Sequence, residues 1–160
     1  MLQVRPPGTP EDGTWAGALW RQEWGGDVMM SKGQPHHMGD LHLLIGWRGS
    51  ERVGLAAYRC EAAGAELVSI NAVEKGAGIG SVMLDAVERF SLASGLARIW
   101  LVTSNDNLDA LRFYQRRGYR IVAVHRGAVD RARQLKPSIP REGFYDIPVH
   151  DEMELEKLLT

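Results

Sequence analysis

The run Glu66-Leu-Val-Ser-Ile-Asn-Ala-Val-Glu-Lys-Gly-Ala-Gly-Ile-Gly-Ser81 changes character halfway along. Its first half is short and apolar, as a buried strand is. Its second half, Lys75 to Gly80, is glycine-rich and leads into Ile79, Val82, Met83, Ala86, Val87 and Phe90, an apolar series at helical spacing. Glycines let the backbone turn sharply and approach a ligand closely. The N–H groups that open a helix have no intrahelical partner and lie at its positive dipole end, so this turn suits an anion, a diphosphate above all. The alternative for the same residues is a tight β–α connection built from small side chains. Two phosphate motifs fail on spacing. A dinucleotide fingerprint needs glycine where Ser81 stands, and an acidic residue about twenty positions on, where the chain reads Ala97-Arg98-Ile99. A P-loop needs its lysine after the glycines, and Lys75 precedes them.

Upstream, residues 41–47, 52–60 and 65–73 are apolar runs separated by Arg48-Gly49-Ser50-Glu51 and Ala62-Ala63-Gly64, which predicts an antiparallel meander. Downstream, residues 98–103 read as a buried strand and 107–117 as a helix stopped by Gly118. Residues 119–125 read as a strand, 128–136 as a helix and 137–148 as a loop. In residues 151–158, Met153 and Leu155 alternate with glutamates, which predicts an edge strand able to pair with a second copy in a homodimer. At the other end, residues 2–5 form a short apolar–polar stretch. Thr14 is expected to cap a helix running to about Trp24 that buries Trp15, Ala18 and Leu19. Residues 25–39 read as a mobile loop. An antiparallel start followed by two β–α–β crossovers predicts a mixed α/β (α+β) fold.

The 160 residues suit one domain, residues 1–160, since one domain per about 150 residues is the usual expectation. Nineteen basic and twenty acidic side chains give a net charge of -1, which argues against a general nucleic-acid or anionic-membrane binder. A single cysteine, Cys60, rules out an intramolecular disulfide and a multi-cysteine metal site; in its apolar run it reads as core. With no apolar leader and no long apolar run, the expected location is the cytoplasm.

Lys75-Gly76-Ala77-Gly78-Ile79-Gly80 resembles the [Arg/Gln]-x-x-Gly-x-[Gly/Ala] motif of the GNAT acetyltransferase superfamily, with lysine as a mild departure. Asn107-x-x-Ala110-x-x-Phe113-Tyr114-x-x-x-Gly118-Tyr119 resembles that family's second signature. The likeness spans roughly residues 40–126. It implies a mostly antiparallel central sheet of six to seven strands with helices on both faces, and acetyl-CoA as cosubstrate. It also implies an N-acetyltransferase that moves acetyl to a primary amine of a small molecule or peptide, by direct attack in a ternary complex. The cofactor residues it implies are Ile70, Ala72, Val73, Lys75, Gly76, Ala77, Gly78, Ile79, Gly80, Ser81, Asn107, Ala110, Phe113, Tyr114 and Arg117, where the strand ending near Val73 splays from the one starting near Arg98. Tyr114 would give a proton to the CoA sulfur. Glu66 would act as a base through water, or stand as an exposed strand-end carboxylate. Ser69 and Asn71 are candidates for contacts near the acetyl group. Asn107 could instead cap its helix, in competition with Asn105 and Asp106. Arg116 or Arg117 could meet the 3′-phosphate, or lie on a solvated basic face. Trp20, Trp24, Met29 and Met30 could shape an acceptor pocket or belong to the core. His36, His37 and His42 lack the partners of a metal site and read as a polar loop. The alternatives are a CoA-binding sensor or assembly module without turnover, and a different acyl donor such as succinyl-CoA.

Overall fold

Seven strands hydrogen-bond side by side in the order β1-β4-β5-β6-β7-β9-β8, and a separate hairpin is formed by β2 and β3. A computed structural model describes residues 1–160. In chain order the elements are β1 (Leu2–Arg5), α1 (Pro10–Trp24), β2 (Val28–Ser31), β3 (Gln34–His37), β4 (His42–Arg48), β5 (Glu51–Glu61) and β6 (Gly64–Ala72). They continue with α2 (Ile79–Ala93), β7 (Arg98–Ser104), α3 (Leu108–Arg116), β8 (Arg120–His125), α4 (Ala128–Leu135) and β9 (Glu152–Leu158). The pairings β1–β4, β4–β5, β5–β6 and β8–β9 are antiparallel. The expected mixed fold with a mostly antiparallel sheet is therefore present. No helix is long and apolar enough to cross a membrane.

The residues group into two compact units, Met1–Met29 with His36–Ile99 and Leu159–Thr160, and Met30–Pro35 with Trp100–Leu158. In the first unit, α1 starts four residues before the expected cap. Thr9 is the N-cap: its side chain accepts from the Asp12 N–H, while Asp12 Oδ2 accepts from the N–H groups of Gly8 and Thr9, and Pro10 begins the helix. Thr14 instead donates back to the Pro10 carbonyl. The register that follows buries Ala16, Leu19 and Trp20 and leaves Ala18 exposed and Trp15 half-buried. These residues pack on Ile45, Leu55 and Ala57.

Gly46 and Gly54 lie opposite each other in the β4–β5 pair, one position along from Ile45 and Leu55. Successive strand residues face opposite sides, so these glycines face away from α1. On that second face α2 sits so close that a Cβ at Gly46 would fall 2.7 Å from Met83 Sδ, and one at Gly54 2.9 Å from Ile79 Cγ2. Within this unit α1 and α2 therefore cover opposite faces. Between β5 and β6 the register slips at Ala57/Tyr58: Ala57 pairs with Ser69 and Tyr58 with Leu67, so Val68 is an extra residue that bulges the strand.

The expected loop 25–39 is a β-hairpin. Lys32 (φ 48) and Gly33 (φ 76) both adopt the left-handed conformation between β2 and β3, the two-residue turn that twists with its strands. Pro35 and the two histidines hid this pattern. In the second unit, β9 is interior, between β7 and β8, because both of its edges are hydrogen-bonded. The expected edge strand is thus a central one, and the route to a homodimer through β9 is closed; β1 and β8 are the outer strands. Residues 137–148 are held by Arg133, whose guanidinium donates to the carbonyls of Ile139, Pro140 and Val149.

Two substitutions test this framework. Gly64 has φ +144, and a Cβ there would lie 2.6 Å from the Arg98 carbonyl oxygen, a backbone atom. Gly64→Ala is expected to cost about 2 kcal/mol or more. Thr9→Ala, which removes the cap, should cost about 1 kcal/mol. Urea unfolding measures both, and wild-type midpoints would contradict these accounts.

Candidate functional site

The Lys75–Gly80 turn is exposed up to Gly78, and Gly76 (φ 79) and Gly78 (φ 77) both adopt left-handed conformations that other residues resist. Neither glycine would meet a neighbour if given a Cβ, so their requirement is conformational rather than steric. Gly78 is the N-cap of α2: no side chain caps the helix there, and its first turn carries no acidic residue. A fifteen-residue helix thus begins without a side-chain cap at Gly78 and without an acid in the turn at its positive end. Ile79, expected to meet a cofactor, has its side chain in the core at 1% exposure. Gly80 and Ser81 are half-buried, and Lys75 and Ala77 are exposed.

Strand β6 leads into this turn. Ile70 pairs with Ala56 and Ala72 with Gly54, which puts both side chains on the α2 face and leaves the strand backbone as their means of reaching a ligand. Val73 is exposed, and its N–H donates to the Val53 carbonyl at 3.0 Å. Ser69 and Asn71 face α1 instead. Ser69 Oγ accepts from Trp20 Nε1 at 2.9 Å and Asn71 Oδ1 from Trp24 Nε1 at 3.0 Å. These two residues, expected near an acetyl group, tie α1 to the sheet. Trp20 is fully buried, while Trp24 and Met29 pack around the same core.

Glu66 is not an exposed strand-end group. It is the third residue of β6, 1% exposed, and its Oε1 accepts from Arg59 Nε at 2.7 Å. Arg59 stands directly opposite it on β5, and its Nη1 also binds Glu61 at 3.0 Å. The third group is His36 of β3, whose Nε2 lies 3.6 Å from Glu66 Oε1. His36 is itself buried. Burial pushes its imidazole down, the Glu66 charge pulls it up, and Arg59 and His37 push it down again; the net direction is below the ordinary value. Cys60, expected in the core, is exposed, because β5 runs past the core before it turns.

The second signature lies in the other unit. Asn107 is the N-cap of α3, with its Oδ1 accepting from the Ala110 N–H at 3.2 Å. Its rivals do other work: Asn105 donates to the Pro148 carbonyl and accepts from the N–H groups of His150 and Asp151, and Asp106 accepts from the Phe144 N–H. The Arg117 guanidinium lies 3.8 Å over the Phe113 ring and donates to the Phe113 carbonyl. Phe113 meets Tyr114 edge-on at 5.1 Å, and Tyr114 meets the buried Tyr119 at 5.6 Å. Tyr114 is half-buried; desolvation pushes its phenol well above the usual range, against a smaller pull down from Arg117. Arg116 is exposed.

Buried carboxylates that composition alone would assign to solvent also occur in this unit. Glu152 and Glu154 of β9 are nearly enclosed. Glu154 binds Lys32 Nζ at 2.7 Å and His125 Nε2 at 2.8 Å, Glu152 accepts from the Lys32 N–H, and the Lys32 ammonium lies 4.3 Å over the Trp100 ring. Both glutamates alternate with apolar residues, a pattern that points outward in an edge strand but not in the interior strand β9.

A family model, the acetyltransferase (GNAT) family, matches residues 15–119. The Bacillus subtilis (strain 168) protein YxbD is 34% identical over 144 residues, covering 89% of this chain and 90% of its own. YdhI of the same organism is 37% identical over 109 residues, 68% of each chain. Among solved structures, a Bacillus subtilis acetyltransferase in complex with CoA is 20% identical, with a TM-score of 0.73 over 100% of both chains. The ribosomal-protein-S18-alanine N-acetyltransferase from Escherichia coli is 14% identical, with a TM-score of 0.70 over 100% of this chain and 95% of its own.

The Glu154 cluster gives a pH prediction. Burial raises this carboxyl, but the hydrogen bonds and charges of Lys32 and His125 outweigh it, so its pKa in the folded chain is lowered. A lowered carboxyl stabilises the fold above the unfolded pKa, and that contribution is lost as pH falls through the folded one. Glu154→Gln should therefore be less stable than wild type at neutral pH, with the gap closing in acid. A gap independent of pH would show that packing and not charge sets the effect.

Proposed function

Because the chain belongs to the acetyltransferase (GNAT) family, we propose that it transfers acetyl from acetyl-CoA to a primary amine by direct attack in a ternary complex, residues 1–160 working as one domain. The observation that carries this reading is the start of α2. It is a fifteen-residue helix entered through two left-handed glycines, with no side-chain cap and no acid in its first turn. The backbone N–H groups there are suited to the diphosphate of CoA, and Lys75 adds a mobile positive charge. The CoA and acetyl-CoA complexes among similarly folded proteins support the same cosubstrate.

The backbone of β6 at Ile70, Ala72 and Val73 offers an edge for the donor's amide groups. In the second signature, Asn107 acts by fixing the first turn of α3 at Ala110, and the stacked Arg117–Phe113 pair offers a cation for a phosphate. Acyl transfer needs a neutral amine, a polarised carbonyl and a proton for the departing thiolate. Tyr114 supplies the proton. Its burial keeps the phenol protonated at all working pH values, so it serves as an acid without first having to be charged. The base side of the reaction is built around Glu66. A protein or peptide amine is one acceptor class, as in the S18-alanine acetyltransferase of similar fold, and a small amine is the other.

Three measurements test the reading. Acetyl-CoA at about 100 Kd should stabilise the fold by roughly 2.7 kcal/mol, a rise of several degrees in Tm that NAD and ATP do not give. Gly78→Val should abolish most of that shift, and a full shift in the variant would remove the turn from the cosubstrate site. Tyr114→Phe should lower kcat by about 10²–10⁴ with little change in acetyl-CoA affinity. Unchanged turnover would take Tyr114 out of the mechanism.

A further inference from the structure

We infer that the second unit carries a binding site for a small zwitterion, a molecule of amino-acid size with one ammonium and one carboxylate, at a place the acyl-transfer reading leaves unused. The site is a cavity of about 470 Å³ lined by Arg126, Gly127, Asp130, His150 and Asp151. That volume falls within the range of small-molecule sites, about 300–1,000 Å³. All of these residues belong to one unit, and Arg126, Asp130 and His150 are exposed, so the cavity opens to solvent.

Hydrogen bonds hold the lining in place. Gly127 adopts the left-handed conformation (φ 73) between β8 and α4, and its N–H donates to Asp151 Oδ1 at 2.8 Å. Asn105 Oδ1 accepts from the N–H groups of both His150 and Asp151 at 3.0 Å, and the His150 carbonyl accepts from the Val129 N–H at 2.9 Å. The backbone at Gly127, His150 and Asp151 is thus fixed, and a site fixed in this way is organised before a ligand arrives.

The charges select the ligand. Asp130 is already matched, because Arg133 Nη1 binds its Oδ1 at 2.8 Å and His150 Nδ1 lies 3.0 Å from its Oδ2. With Nδ1 turned to that carboxylate, Nε2 is the His150 nitrogen left for a ligand. Arg126 and Asp151 are not matched. The Arg126 guanidinium has neither an ion pair nor a hydrogen bond, and the Asp151 carboxylate accepts only from the neutral Gly127 N–H. The two line one cavity and yet form no salt bridge with each other. A bare cation there would meet the Arg126 charge, and a bare anion would meet the Asp151 and Asp130 charges. A zwitterion satisfies both, with its carboxylate on the guanidinium and its ammonium on Asp151.

Location also favours a site. Arg126 and Gly127 directly follow the last residue of β8, and Asp151 directly precedes β9. Asn105, which holds the His150 and Asp151 N–H groups, directly follows β7. The cavity therefore lies at the carboxyl ends of β7 and β8, the end of an open α/β sheet at which ligands bind.

Amide NMR of the full chain, recorded without acetyl-CoA so that no amine is consumed, tests the site. L-Alanine or 4-aminobutanoate should shift the Gly127 and Asp151 amide signals saturably, with a Kd of about 10 mM or tighter. Butylamine and butanoate, which carry one of the two charges each, should bind at least about tenfold more weakly. Arg126→Gln should weaken the better zwitterion by about tenfold or more and leave butylamine unchanged. Asp151→Asn keeps an oxygen for the Gly127 N–H; it should weaken the zwitterion likewise and leave butanoate unchanged. Arg126 is exposed, so its variant decides the matter if Asp151→Asn does not fold. Saturable shifts with neither zwitterion, or equal binding of a single-charge analogue, overturn the inference. So does loss in Arg126→Gln of the Tm rise that acetyl-CoA gives the wild type, which would assign that guanidinium to the cosubstrate. A wild-type chain that binds a zwitterion but not acetyl-CoA upholds this site and overturns the acyl-transfer reading alone.

Discussion

The separation between α2 and the sheet beneath it is set by two glycines that pair across β4 and β5. A methyl group at Gly46 or Gly54 would collide with Met83 or Ile79, side chains that are buried in the core. The close approach matters less for the packing energy than for what it does to the helix start. Ile79 is the first residue of α2, and anchoring it over Gly54 fixes where the helix begins. The backbone N–H groups of that first turn are then held rigidly by the core, one turn from the exposed glycines. The site proposed at this turn is made of backbone and has no side chains to adjust, so its precision has to come from the element that carries it.

Most of this framework could be read from the sequence. The meander, the α2 periodicity and the α3 helix with its glycine stop rest on local patterns of apolar residues, and local patterns survive into the fold. Three readings failed, two where one local signal outweighed another and one for a non-local reason. Thr14 is a good cap residue by type, but Thr9, Pro10 and Asp12 together form a reciprocal cap that begins the helix earlier. The β2–β3 hairpin is encoded by Lys32-Gly33, and its strands are too short and too polar to announce themselves. Strand β9 has the alternation of a half-solvated edge, and only the pairing of both its edges shows that its glutamates point at Lys32 and His125 rather than at water.

The candidate site was legible at the level of motifs and less so at the level of roles. The glycine turn and Tyr114 stand where the spacing put them. Glu66 is marked by the family resemblance, Ser69 and Asn71 by being polar on the same strand, and each has a specific partner. Those partners are Arg59, Trp20 and Trp24, which lie 7, 49 and 47 residues away, and no pattern in one sequence ties residues so far apart in an unaligned chain. The same limit hid the burial of His36 against Glu66.

The interior position of β9 has a bearing on how the chain is made. Strands β7 and β8 precede it in sequence and yet are its neighbours on either side. While the chain emerges from the ribosome, the second unit holds two strands with a gap where their common partner belongs, and their inner edges stay open until β9 is released. The sheet in that unit therefore closes only once β9 has been made, by insertion of one segment between two others. Such a step joins contacts far apart in sequence and is slow by nature. In the interval the unfilled gap is the most vulnerable part of the nascent chain, open to any extended peptide that reaches it first.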